Sequence, residues 1–135
     1  DKFIKRVGEN KLEIHITFIG NIKNIPEFLS ALDIYIQPSV TEGFPLSVLE
    51  AMAAGLPIIS SNAGGLNEMI TDGSNGFKFI FGNLNSLYNV IVKILNKNSE
   101  DLLQIGQNAR KTIKENYSIN NSAKKYRNIY CNFIK

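Results

Sequence analysis

The run QPSVTEGFPLSVLEAMAAGLPIISSNAGG, from Gln37 to Gly65, constrains the fold of this chain more than any other stretch. Ile34-Tyr35-Ile36 is a short apolar run stopped at Pro38, which has no N–H and suits the end of a strand. From Leu46 to Ala54 the period changes. Leu46, Leu49 and Ala53, with the alanines around them, suit a tightly packed helix that Gly55 and Pro57 bring to an end. Leu56 to Ile59 is again apolar and β-branched and reads as a buried strand. The result is a strand–loop–helix–strand unit with its most unusual chemistry in the first connection, where open parallel sheets bind their ligands.

Two carboxylates bracket that connection, Glu42 and Glu50. Pro45 fits the start of the helix, where its missing N–H costs nothing. Free N–H groups at that helix start suit a phosphate oxygen. A carboxylate in the loop ahead, Glu42, offers two acceptor oxygens to paired sugar hydroxyls, and Glu50, one turn in, offers the same to a ribose. A plainer reading stands beside this one. Ser47 and Glu50 have the spacing of a capping box, and Glu42 would then be a solvated loop residue.

The flanking segments read as one α/β domain over residues 1–135. Lys2 to Val7 reads as the end of a helix closed by Gly8, and Ile14–Ile19 as a strand that stops at Gly20-Asn21. Asn24 is expected to cap a short helix with Pro26 inside its start and Phe28, Leu29 and Leu32 packed beneath the next strand. Gly64-Gly65 gives room for a ligand's close approach, a turn that starts a helix, or both. Glu68 fits the first turn of that helix, where negative charge is favoured. Residues 71–76 are a dense turn signal before a strand over Phe77–Phe81. Apolar periodicity then predicts helices over Leu84–Leu95 and Leu102–Ile113, and a last one capped by Ser118 with an apolar face of Ile119, Ala123, Tyr126, Tyr130 and Phe133.

Charge is unevenly placed within a formal net of +3: residues 1–70 carry five basic and eight acidic groups, residues 71–135 ten basic and four acidic. The basic half has no aromatic platform or base-reading motif, so nucleic acid is not an expected partner. The single cysteine, Cys131, excludes an internal disulfide and fits a reducing compartment. No transmembrane-length apolar run and no Cys/His/Asp metal cluster is visible. A cytoplasmic location is expected, with any membrane contact peripheral and on its inner face. The only histidine, His15, is expected to be structural.

The residues Glu42-Gly43-Phe44-Pro45-Leu46-Ser47-Val48-Leu49-Glu50 resemble the E-x7-E signature of retaining glycosyltransferases of the GT-B fold, family 4, also called group 1. Phe18-Ile19-Gly20, Ala31 to Ser39, Glu50 to Pro57, Gly64 to Glu68 and Asp72 to Phe77 look like further blocks of the same family in order. The resemblance implies a Rossmann-like, doubly wound parallel sheet, the C-terminal, donor-binding half of a GT-B enzyme. It implies transfer of a sugar, with retention, from a nucleotide diphosphate to a hydroxyl acceptor, a glycan or lipid-linked one in bacterial capsule, lipopolysaccharide or other surface polysaccharide synthesis. By the same resemblance Glu42 is the catalytic residue and holds donor hydroxyls. Gly43, Phe44, Pro45 and Leu46 approach sugar and diphosphate, and Glu50 binds the ribose. Gly20, Asn21 and Ser39 border the base, and Gly64, Gly65 and Glu68 play supporting parts. No cofactor and no metal are expected: an Asp-x-Asp arrangement is lacking, and helix and basic side chains can balance the phosphates.

In the strand order 3-2-1-4-5-6 the family correspondence makes the four visible strands 3 to 6, so strands 1 and 2 would lie between Ile14–Ile19 and its successor. The expectation is therefore a domain that lacks its first two strands here, preceded by further sequence and by an N-terminal GT-B domain as partner. The family's diphosphate-binding arginine and lysine would lie upstream too; Lys5 and Arg6 do not match their place. Three other readings remain: a nucleotide-sugar epimerase on a similar fold, a non-catalytic nucleotide-sugar-binding subunit, and a dinucleotide-binding domain. The last is weakened by the lack of Gly-x-Gly-x-x-Gly after the visible strands.

Overall fold

The computed structural model describes residues 2–134. Three short strands, β1 (Tyr35–Gln37), β2 (Ile58–Ser61) and β3 (Phe77–Phe79), form a parallel sheet in sequence order. Tyr35 lies opposite Ile58, and Ile59 opposite Phe77. Around them run α1 (Lys2–Glu9), α2 (Ile25–Ser30), α3 (Leu46–Ala54), α4 (Leu66–Met69), α5 (Leu84–Leu95), α6 (Ser99–Asn116) and α7 (Ile119–Phe133). This is the expected α/β, Rossmann-like architecture.

Side chains alternate across a strand, so neighbouring isoleucines of β2 serve different cores. Ile58 packs with Val48, Ala51 and Met52 of α3 and with Ala109 of α6. Ile59 packs on the other side with Phe77, Phe79, Ile94 and Ile105. All four β2 residues are buried, as a parallel sheet covered on both faces requires.

Local chemistry sets most helix ends. The α2 cap is Asn24, whose side chain accepts from the Glu27 N–H, and α7 starts at Ser118, whose hydroxyl accepts from the Asn121 N–H. Helix α3 spans the nine expected residues and stops at Gly55, which is left-handed at φ 84°. There Gly55 N–H donates to Met52 O at 3.0 Å and Leu56 N–H to Ala51 O at 3.1 Å, a Schellman closure.

Several expectations need correcting. Residues 14–19 form no strand: the first two lie in a turn, all six are exposed, and they pair with no strand among the described residues. β-Branched composition favours extended backbone, but a strand exists only where a neighbour completes its hydrogen-bond ladder. His15 is accordingly exposed in a turn. The second strand lies two residues later than expected, because Leu56 N–H is already committed to the end of α3. The third stops at Phe79: Ile80 N–H donates to Ser86 Oγ and Phe81 N–H to Asn62 Oδ1, so side chains replace the ladder. The capping box of Ser47 and Glu50 is not formed either, since the N-cap of α3 is Pro45 and no side chain caps it. Finally, α6 begins earlier than the expected Leu102, at an Asn98 cap, and runs on to Asn116. No described residue of α7 is buried, so its apolar stripe is not packed on this domain.

Candidate functional site

The site is built at the end of β1. Tyr35, Gln37 and Ser39 alternate along one line of chain, so their side chains emerge on the same side. The Tyr35 hydroxyl donates to Gln37 Oε1 at 3.0 Å. That bond leaves the Gln37 NH2 to donate, which it does to Ser39 Oγ at 2.6 Å and to Glu42 Oε1 at 3.3 Å. Ser39 Oγ donates in turn to Glu42 Oε1 at 2.8 Å. Both contacts fall on one carboxylate oxygen. Glu42 Oε2 has no hydrogen-bond partner among the described residues, and the side chain as a whole is half-buried.

The backbone beneath this carboxylate is held from two sides. At the end of β2, the Ser61 hydroxyl donates to Ser39 O at 2.6 Å. From the turn before α4, Gly65 N–H donates to Glu42 O at 2.9 Å. The approach is so close that a Cβ on Gly64 would lie 2.1 Å from Glu42 O, and one on Gly65 would lie 2.0 Å from Gly43 O. The double glycine thus gives its room to the Glu42–Gly43 backbone, besides starting α4.

Past Glu42 the loop exposes Gly43, buries Pro45, and lays the half-exposed Phe44 ring 5.4 Å from Tyr117 at 53°. Leu46 opens α3 and is exposed. With Pro45 at the N-cap, the first N–H groups of α3 have no side-chain acceptor, and the helix dipole leaves that end positive. Glu50 is exposed one turn further on, where it lines two clefts between α2 and α3. The larger, about 340 Å³, is walled by Ile25, Leu29 and Ala53, and the smaller, about 170 Å³, by Ile22, Tyr35 and Ser47. Tyr35 therefore touches both halves of the site, the cleft at Glu50 and the hydrogen-bonded chain to Glu42.

The structure brings together Ser39, Glu42, Gly43, Gly64 and Gly65 of the residues singled out in the sequence. Ser39, expected beside a base, turns its hydroxyl to Glu42. Gly20, left-handed at φ 70°, and Asn21 lie on the exposed segment before α2, and no hydrogen bond among the described residues joins them to this network. Glu68 sits in the first turn of α4, exposed and outside it. Sequence reasoning missed Tyr35, Gln37, Ser61 and Tyr117. Alternation from Tyr35 to Ser39 was the available signal for the first two; the others reach the site only through tertiary contacts. Among the described residues no three His, Cys, Asp or Glu side chains gather as metal ligands, and no helix is long and apolar enough to cross a membrane.

Comparison with known proteins gives concordant results. Residues 1–112 match the family model described as glycosyl transferases group 1. An Escherichia coli UDP-Gal:alpha-D-GlcNAc-diphosphoundecaprenol alpha-1,3-galactosyltransferase is 28% identical over 123 residues, 91% of this chain and 31% of that protein. Sucrose-phosphate synthase from Thermosynechococcus elongatus superposes with a TM-score of 0.88 at 27% identity, over 98% of this chain and 34% of that one. The C-terminal domain of a Francisella tularensis glycosyl transferase group 1 protein, LpcC, gives a TM-score of 0.70 at 30% identity, over 87% of this chain and 64% of that one. This chain spans only 20% to 33% of the length of the curated relatives it matches. With the family model covering most of the chain and the fold superposing throughout, the chain belongs to the glycosyl transferases group 1 family and has the fold of the C-terminal half of a GT-B enzyme.

Proposed function

We propose that these residues are the donor-binding part of a longer retaining glycosyltransferase, which moves a sugar from a nucleotide diphosphate to a hydroxyl acceptor. The observation that carries this reading is the Glu42 carboxylate, held through Oε1 and open at Oε2, beside the uncapped start of α3. Glu42 Oε2 accepts a hydroxyl of the donor sugar. The backbone from Gly43 to Leu46 and the first N–H groups of α3 receive the diphosphate, whose charge grows as the leaving group departs. Glu50 binds the ribose from its clefts between α2 and α3. No step in this scheme calls for a divalent cation, so activity is expected to survive EDTA. The first domain of the longer protein supplies the acceptor contacts and excludes water from the reacting sugar. A lipid-linked or glycan acceptor in bacterial surface polysaccharide synthesis is supported by the similarity to the galactosyltransferase named above, whose substrate is a diphosphoundecaprenol.

The test is calorimetric titration of the full-length protein with UDP, GDP, ADP and CDP, followed by transfer assays with the sugar forms of whichever binds. Binding of one nucleotide identifies the base. In the same protein Glu42→Gln is expected to lower kcat by about 10²-fold, roughly 2.7 kcal/mol of transition-state stabilisation, with the fold intact. Nucleotide binding without any transfer, in the folded full-length protein, would replace this reading with a non-catalytic binding subunit.

A further inference from the structure

Every strong polar contact around Glu42 ends on the same oxygen. Oε1 receives the Ser39 hydroxyl at 2.8 Å and the Gln37 amide at 3.3 Å, which uses both of its lone-pair directions. The carboxylate is thereby fixed in rotation, and its remaining acceptor capacity lies on Oε2. The orientation of the Gln37 amide is itself determined: the Glu42 carboxylate only accepts, so the NH2 faces it and Ser39, and Gln37 Oε1 is left to accept from the Tyr35 hydroxyl. Ser39 cannot drift either, since Ser61 holds its carbonyl at 2.6 Å. Water alone would not single out one oxygen of the carboxylate. A half-buried surface glutamate would keep its rotamers and be solvated through both oxygens.

We propose that Ser39 and Gln37 are positioning residues, which aim Glu42 so that it meets the donor sugar through Oε2 alone. This rests on the function proposed above and adds to it. Glu42 contacts the sugar through one oxygen rather than spanning a pair of hydroxyls with both. Ser39 serves the sugar end of the donor, through Glu42, and not the base.

The test is a double-mutant cycle on sugar transfer by the full-length protein, with nucleoside diphosphate affinity measured alongside. Ser39→Ala is expected to lower kcat roughly 10- to 100-fold, the worth of a hydrogen bond to a charged group, while the nucleoside diphosphate Kd stays within about twofold. Ser39→Thr, which keeps the hydroxyl, restores most of the rate. Gln37→Leu gives a smaller loss in kcat, as its longer bond implies, and is the second arm should Ser39→Ala fail to fold. In a Glu42→Ala background both substitutions cost nothing further, because their effect passes through the carboxylate. Additive losses in that background, or losses in nucleoside diphosphate affinity that equal those in kcat, would overturn the assignment and leave Ser39 and Gln37 as supports of the loop. If Glu42→Ala by itself leaves kcat/KM unchanged, it is the role of Glu42 that fails, and with it the reading on which this inference rests.

Discussion

Gly65→Ala separates the two explanations of the double glycine, because they differ in sign. Gly65 has φ −61° and ψ −21°, a helical conformation that alanine adopts freely. With no other constraint, the substitution would stabilise the protein by about 0.4–1 kcal/mol through the unfolded chain. The packing says the opposite. The new Cβ would lie 2.0 Å from Gly43 O and 3.1 Å from its carbon, and both are backbone atoms with no rotamer to change. The loop must withdraw by about 1 Å to reach even the shortest tolerable contact, which costs about 1–3 kcal/mol of overpacking. That withdrawal also stretches the 2.9 Å bond from Gly65 N–H to Glu42 O, about 1 kcal/mol more. Net destabilisation of about 1–3.5 kcal/mol is therefore expected in urea unfolding. A displacement of about 1 Å at a substrate-positioning loop lowers kcat/KM by on the order of 10²-fold. Gly73→Ala is the matched control: Gly73 has φ 74° but open space around its Cβ position. It should lose about 1 kcal/mol to backbone strain alone and transfer sugar normally. A more stable Gly65→Ala protein with kcat/KM within twofold of the wild type would refute the packing of the Glu42 loop on this turn.

Gly106 presents the same contest within α6, since its Cβ would lie 1.9 Å from Gly55 O at the end of α3. Alanine gains about 1 kcal/mol in helix propensity there, yet Gly106→Ala is expected to lower stability by about 1–3 kcal/mol in urea unfolding by forcing α3 and α6 apart. Asn75 is buried, accepts from Thr71 N–H, and donates to Met69 O and Thr112 Oγ1. Asn75→Leu leaves Thr71 N–H and Met69 O without that partner, while Thr112 Oγ1 keeps its bond to Asn108 O, and should cost about 2–4 kcal/mol in the same measurement, with nucleotide affinity retained. Glu50→Gln is expected to raise the nucleoside diphosphate Kd about tenfold while kcat at saturating donor stays within about threefold, read by calorimetry and transfer assays together.

Features that depend on a few neighbouring residues were legible in the sequence. Helix α3 ends at Gly55 because only glycine takes a left-handed φ there without strain, and that requirement is written in one residue type. Asn24 and Ser118 cap their helices with side chains that reach three residues ahead. Residues 14–19 mark the limit of such reasoning. Their composition is that of a strand, and composition cannot supply the neighbouring chain that would make them one.

The candidate site divides in the same way. Glu42, Glu50 and the double glycine stand out in the sequence, because acceptor pairs and paired glycines announce themselves by type and spacing. What they do with one another was decided by the fold. Parallel pairing of β1 and β2 brings Ser61 to the carbonyl of Ser39, 22 residues earlier. The α4 turn brings Gly65 N–H under Glu42. Only then do Gln37 and Ser39 converge on one oxygen of the carboxylate and leave the other free. Local propensity acts over a turn or two of chain, whereas the aim of a side chain is set by every segment that packs around it.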